Sequence, residues 1–124
     1  MPLWEIHFKP ENKIVEVRVT GQVSKESDRD SMTKEAIQEG AKYSCSRFLV
    51  DLNKATAIYS LVDLYNRVEM AFPRLGIKHG ARIAVIPPAG FVNKNFFETV
   101  ASNRGYAIKV FDSSDEAVRW LTAR

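Results

Sequence analysis

Two stretches near the start of the chain alternate apolar and polar residues, which is the period that predicts half-buried β-strands. They are 3–8 (LWEIHF) and 13–21 (KIVEVRVTG), and the short turn between them predicts an antiparallel hairpin. Two later stretches, 47–52 (RFLVDL) and 81–86 (ARIAVI), have little alternation, as is typical of strands that are covered on both faces. A further strand is predicted at 107–111 (AIKVF).

Four segments predict helices. A polar helix is expected at roughly 25–41, and others in segments 93–105 and 112–124. The clearest helix begins at Ser60, where apolar residues recur at spacings of three and four. Pro73 disfavours helical geometry at the preceding residue, so this helix is expected to end or kink at Phe72.

The predicted order is therefore β-β-α-β-α-β-α-β-α. Strands that alternate with helices imply right-handed crossovers and parallel pairing, while the hairpin adds one antiparallel strand. The expected fold class is α/β, with a mixed, mostly parallel sheet and helices packed on it. There is no internal repeat or linker, so residues 1–124 are predicted to form a single domain.

Composition narrows the class of protein. The 124 residues carry a formal charge of +3 and have a pI near 9.1, and charges of both signs are interspersed, which does not predict a nucleic-acid-binding arm. The single cysteine, Cys45, has no internal disulfide partner, and no apolar run is long enough to cross a membrane. A protein of the cytoplasm, without a transmembrane segment, is expected.

The sequence shows no catalytic constellation. His7 and His79 have no neighbouring ligand at metal-binding spacing, and no general base is assignable to Cys45. Nucleophile-elbow, Walker and dinucleotide-binding motifs are absent. The prediction is that the protein is not an enzyme and has no catalytic residue, metal or cofactor.

Binding is expected at the carboxyl ends of the parallel strands, where loops and helix N-termini converge. Lys54 and Lys94 lie beside predicted helix N-termini and would attract an anion; the alternative is that both are solvated loop charges. Tyr59 and Phe91, at loop–helix junctions, are the aromatic residues expected to line a groove or interface. The candidate binding residues are Asn53, Lys54, Thr56, Tyr59, Ser60, Asp63, Phe91, Asn93 and Lys94.

Ser60 has a structural explanation as well as a functional one. A serine at the N-cap of a helix satisfies a backbone N–H that has no intrahelical partner, and Asp63, three residues later, completes a capping box. The same spacing recurs at Ser113 and Glu116. We therefore interpret Ser60 first as a helix cap and second as a regulatory site.

The element order, the strand that ends in Val-Asp-Leu, and the helix that begins at Ser60 resemble the STAS superfamily, which includes anti-sigma-factor antagonists and the tails of sulphate transporters. WEIHF, VEVRVTGQVSKES and FDSSDEAVRWL are similar to its SpoIIAA-like branch, which also groups Sec14-like proteins. In the antagonists, the turn before the helix reads Asp-Ser-Ser-Gly and the second serine is phosphorylated. Here it reads Tyr59-Ser60-Leu61-Val62, so a leucine stands at the phosphorylated position.

The resemblance implies a non-catalytic regulatory or protein-interaction module that lacks the usual phosphorylatable motif, with a protein partner. An alternative, from the Sec14-like side, is a carrier of a small apolar, lipid-like ligand. A third alternative is a homodimer that covers its own apolar helix face.

Overall fold

The computed structural model of the protein describes residues 4–21, 26–55, 66–88, 90–91 and 94–123. Its five strands all belong to one sheet. The strands are β1 (Trp4–Lys9), β2 (Ile14–Gly21), β3 (Arg47–Ala55), β4 (Arg82–Ile86) and β5 (Ala107–Val110).

A helix follows each of the strands β2 to β5 along the chain. They are α1 (Glu26–Lys42), α2 (Phe72–Leu75), α3 (Lys94–Asn103) and α4 (Ser114–Thr122). One turn of π-helix (Arg67–Ala71) directly precedes α2, and we call it the π-turn.

The spatial order of the strands follows their order in the chain, β1-β2-β3-β4-β5. β1 and β2 pair antiparallel, with Ile6 opposite Val17, and all other neighbours pair parallel. The predicted mixed, mostly parallel α/β sheet with one antiparallel hairpin is confirmed.

One face of this sheet is covered at β3 and β4 by α4. Ala117 and Leu121 of that helix are fully buried against Leu49 and Ala84 of the two central strands. Arg82 donates hydrogen bonds to the carbonyl oxygens of Trp120 (3.0 Å) and Ala123, where the helix ends. We call this the closed face, because its central residues have 3% exposure or less.

The opposite face carries the alternate residues of the same strands. Registered neighbours across β2, β3 and β4 place Val17 beside Val50 and Val50 beside Val85. Helix α1 packs over β1, β2 and β3, while α3 packs on β5. We call this the open face, because Val50 and Val85 remain only half-buried beneath those helices.

β3 is longer than expected. It continues to Ala55, so Asn53 and Lys54 lie in the strand and not in the loop that follows it. The register with β2 shifts between Arg18 and Thr20, after which Thr20 pairs with Lys54. This irregularity, of the kind that a β-bulge produces, extends the pairing beyond the apolar residues from which the strand was predicted.

The helix was expected to end or kink at Phe72, before Pro73, and its geometry does change at that residue. The helix does not end at Phe72; it changes there from π-helical to α-helical and ends at Gly76, which has a φ of 86°. Proline has no backbone N–H with which to continue the hydrogen bonds of the preceding turn, and the π-helical turn lies directly before it. The predicted helix start at Ser60 lies outside the described residues.

Candidate functional site

The carboxyl ends of β3 and β4 are neighbours in the sheet, as the parallel pairing requires. Asn53 and Lys54 are exposed at the end of β3, and the Asn53 N–H donates to Oδ1 of Asp51 at 2.9 Å. Lys94 is exposed in the first turn of α3. Two cationic side chains therefore stand near this edge of the sheet.

Phe91 follows β4 and is half-buried. Its N–H donates to the carbonyl oxygen of Pro88 at 3.2 Å, which fixes the turn that presents the ring. Phe91 and Leu52 line the same cavity, so the structure brings the loop after β4 next to the end of β3. The remaining candidates lie outside the described residues: Thr56, Tyr59, Ser60, Asp63 and Asn93.

The capping box at Ser113 and Glu116 lies within the described residues and shows the role of its serine. Ser113 has extended backbone geometry, and its hydroxyl oxygen accepts a hydrogen bond from the Glu116 backbone N–H at 3.3 Å. Ser113 is thus the N-cap of α4, with Asp115 and Glu116 in the first turn, where negative charge is favourable. The cap at Ser60 and Asp63 stays a prediction, because both residues lie outside the described ranges.

A cavity of about 620 Å³ lies on the open face, between the sheet and α1, the π-turn and α2. Its floor is formed by strand residues, and its walls include Met32, Ile37, Phe72 and Phe97. This volume is within the range of small-molecule sites, roughly 300–1,000 Å³. The described floor residues are Val17, Phe48, Val50, Leu52, Ile83, Val85, Ile108 and Val110.

The charged residues among the described lining are all basic. They are Arg29, Arg67 and Lys78, and none of the described lining residues is an aspartate or a glutamate. The lining therefore combines an apolar surface with positive charge, which suits an apolar molecule that carries a negative group.

Arg67 is held in place by α1. Its Nη1 donates to Oδ1 of Asp30 at 2.7 Å and its Nη2 to the Thr33 hydroxyl at 3.1 Å. The second oxygen of Asp30 accepts from Arg74 Nη2 at 2.9 Å. Only 14% of the Arg67 side chain and 16% of the Asp30 side chain are exposed, so this pair is shielded more than an ordinary surface ion pair.

Asp30 shows the electrostatic effect of that arrangement. Burial acts to raise the pKa of its carboxyl group, but the hydrogen bonds and positive charges of Arg67 and Arg74 outweigh it. The net result is a pKa below the usual value. Asp30 therefore stays ionised and ties α1 to the π-turn and α2.

The π-turn sets the position of Arg67. The Phe72 N–H donates to the carbonyl oxygen of Arg67, the wide spacing of a π-helix, and the Arg67 guanidinium lies 5.9 Å from the centre of the Phe72 ring. Short π-helical segments often occur at functional sites. Here the segment directs Arg67 toward the cavity and Asp30 at once.

The other chemically active groups have structural partners. Cys45 is half-buried, and its thiol lies 2.9 Å from the carbonyl oxygen of Lys13. His79 packs edge-on against Tyr106, with ring centres 4.8 Å apart. Within the described ranges, no group of His, Cys, Asp and Glu is arranged to hold a metal ion. Nor does any described helix have the length and apolar character needed to cross a membrane.

Sequence reasoning missed the arginine at the cavity and the aspartate that positions it. Arg67 and Asp30 are 37 positions apart, so neither spacing nor periodicity connects them. Arg67 stands in the middle of the strongest apolar stripe of the chain, where a lone arginine is usually a solvated residue. Its contact with α1 depends on the packing of two helices, which the sequence pattern does not specify.

Comparisons with models of protein families and with curated proteins found no match. Among solved structures, the chain is similar to that of the anti-sigma factor antagonist SpoIIAA in its unphosphorylated form, with a TM-score of 0.53 and 14% sequence identity. The similarity covers 94% of this chain and 94% of that chain. The protein therefore has the SpoIIAA-like fold of STAS domains, as its element order predicted.

Proposed function

We propose that the protein is a non-catalytic regulatory module of the cytoplasm that binds another protein through the surface between Asn53 and Asp63. The observation that carries this proposal is the likeness, along almost the full chain, to an anti-sigma-factor antagonist. The exposed positions of Asn53 and Lys54 at the carboxyl edge of the sheet support it, since binding surfaces of open α/β sheets lie at that edge.

Regulation in this proposal does not use the phosphorylated serine of the antagonists. Leu61 stands at that position and has no hydroxyl group to accept a phosphate. Ser60, one residue earlier, is assigned to the helix cap. Recognition then depends on the shape and charge of the surface, not on the formation of a covalent bond.

The experiment is an affinity purification from cells with a Lys54→Glu, Asp63→Lys double variant. Reversing both charges conserves the net charge but inverts the local pattern, so partners that bind the wild-type protein should be lost. The matched control is Glu11→Lys with Lys42→Glu, two exposed residues at the opposite edge of the sheet. Identical partner lists for the wild-type protein and the Lys54, Asp63 variant would refute the proposed surface.

A second candidate function is the binding of a small apolar ligand. The cavity on the open face favours it, because such volumes lined by aliphatic and aromatic side chains are typical of ligand sites. Native mass spectrometry of protein purified gently from cells provides the test. A retained acyl species supports this candidate, whereas protein that carries no ligand under conditions that preserve a known lipid complex argues against it.

A further inference from the structure

We propose that the cavity on the open face binds a single-chain amphiphile with a carboxylate or phosphate head, and that Arg67 and Arg29 hold the head. This inference rests on the second candidate function, the binding of an apolar ligand, and specifies its chemistry. The occupant follows from the shape of the apolar floor, the position of the two arginines and the sign of the charge.

The apolar part of the cavity is elongated along the strands. Phe48, Val50 and Leu52 of β3 line it in succession, which covers four residue steps or about 13 Å at the rise of a β-strand. Neighbouring strands widen the same floor with Val17 and Val85. An unbranched hydrocarbon chain matches this long floor and would remove half-buried valine surface from water.

Both arginines lie at one end of that floor. Helix α1 runs back from the carboxyl end of β2, so Arg29 in its first turn lies near the carboxyl edge of the sheet. Arg67 donates hydrogen bonds to Asp30 and Thr33, one and four positions after Arg29 on the same helix, which places the two arginines near each other. Lys78 precedes β4 and therefore lies at the amino edge, at the other end of the cavity.

The sign of the charge selects the head group. A neutral or cationic head would meet only arginine and lysine among the charged lining residues that the structure describes. Arg67 uses two of its five N–H donors in hydrogen bonds to Asp30 and Thr33, which leaves donors for an oxyanion without breaking the contact with α1. Guanidinium groups bind carboxylate and phosphate oxygens with matching geometry.

Asp30 is a positioning residue in this arrangement. Its carboxylate accepts from Arg67 on one oxygen and from Arg74 on the other, so it fixes the guanidinium at the cavity. Thr33 adds a second contact from the same helix. A side chain held by two hydrogen bonds is preorganised for its ligand, which lowers the entropy lost on binding.

The test measures binding of three twelve-carbon probes by isothermal titration calorimetry: dodecanoate, dodecyl phosphate and dodecan-1-ol. The proposal expects one or both anions to bind roughly tenfold or more tightly than the alcohol, because hydrogen bonds to charged groups contribute that much. The better of the two anions identifies the head group. All titrations are made below the concentrations at which the probes form micelles.

Variants then show which end of the cavity binds the anionic head group of the probe. Arg67→Gln and Arg29→Gln should each weaken anion binding roughly tenfold and leave the alcohol almost unchanged. Lys78→Gln, which removes a charge at the other end of the cavity, is the matched control and should have little effect. Circular dichroism confirms folding, and retained binding of the alcohol shows that the cavity of each variant is intact.

Each alternative result has a definite meaning. Equal affinities for the anions and the alcohol would overturn the anionic head while leaving the binding of an apolar ligand standing. An anion preference that is lost only in Lys78→Gln would overturn its placement at Arg67 and Arg29. Failure of all three probes to bind would overturn both this inference and the second candidate function.

Discussion

The two faces of the sheet are built from alternate residues of the same strands, yet they are covered in different ways. On the closed face, the single helix α4 packs directly on β3 and β4, and its Ala117 and Leu121 are fully buried. The open face is covered by α1, α2, the π-turn and α3, and still encloses about 620 Å³ of space above Val50 and Val85. The number of covering helices therefore does not determine how completely a face is filled.

The difference indicates that the two faces of the sheet have different roles. The closed face supplies stability. Ala117 and Leu121 of α4 pack directly on the sheet there, and close packing is sensitive to the loss of even one methylene. A face whose helices are joined by ion pairs, such as Arg67 with Asp30, leaves room for a ligand between them. Substitutions on the two faces should therefore have unequal effects.

The largest effect is expected for Leu121→Ala on the closed face. Leu121 is fully buried, so its truncation should lower the free energy of unfolding by about 2–5 kcal/mol. Leu52→Ala on the open face makes the same chemical change at a half-buried cavity wall and should lower it by about half of that or less. Urea denaturation of both variants checks the difference; equal losses would contradict the division between faces.

Gly40→Ala tests how closely α1 approaches the sheet. A Cβ atom at Gly40 would lie 2.7 Å from the carbonyl oxygen of Cys45 and 2.8 Å from Cζ of Phe48, so the backbone or the ring has to shift. We expect a loss of about 1–3 kcal/mol by overpacking, although alanine is the better helix former. Gly80→Ala, with no atom within 4 Å, is the control and should be nearly neutral in thermal denaturation.

Asp30→Asn tests the ion pairs that hold the open face together. Removal of the charge should lower the free energy of unfolding by about 1–3 kcal/mol at neutral pH, because the hydrogen bonds from Arg67 and Arg74 lose their ionised acceptor. Arg74 has an exposure of 53%, so Arg74→Gln should cost less, about 0.2–1 kcal/mol.

Asp30→Asn should also change how the stability of the protein depends on pH. The pKa of Asp30 is lower in the folded state than its usual 3.8, so the unfolded state binds more protons in that range and stability falls as the pH falls. This contribution is present above the unfolded pKa and disappears as the pH drops through the folded one. Denaturation between pH 2 and 6 should therefore show a weaker dependence on pH for Asp30→Asn, and an unchanged slope would refute the assignment.

Modest effects are expected at the helix caps Ser113 and Ser60. Ser113→Ala should lower the free energy of unfolding by about 0.5–2 kcal/mol, since the Glu116 N–H loses its acceptor. If Ser60 is a cap as well, Ser60→Ala should cost a similar amount. A Ser60→Ala protein with unchanged stability and lost partner binding would instead assign Ser60 to recognition.

The fold was predictable because each element has a local signal. Alternating residues in β1 and β2 and the apolar stretches of β3 and β4 specify the sheet and its mixed pairing. The end of β3 was wrong by three residues because Lys54 and Ala55 pair with Thr20 and Gly21 only after a register shift, in which β3 advances three residues while β2 advances two. The end of such a strand depends on its pairing with the neighbouring strand, which its own residues do not specify.

The candidate site was predictable only in part, for a similar reason. The carboxyl edge, with Asn53, Lys54 and Phe91, follows from the topology of parallel strands. The cavity and its arginines do not, since they depend on how far α1 stands from the π-turn and on the contact of Arg67 with Asp30. Ion pairs between distant segments leave no periodic trace in a sequence.

The most direct test of the central claim is an isotope-filtered NMR experiment on labelled protein with unlabelled dodecanoate. If the open face takes an apolar chain, nuclear Overhauser contacts should connect the probe with the methyl groups of Val50 and Val85. The methyl groups of Leu121 and Ala84 on the closed face should show none. Contacts with the closed face, or no contact with Val50 and Val85 at saturating probe, would contradict the account.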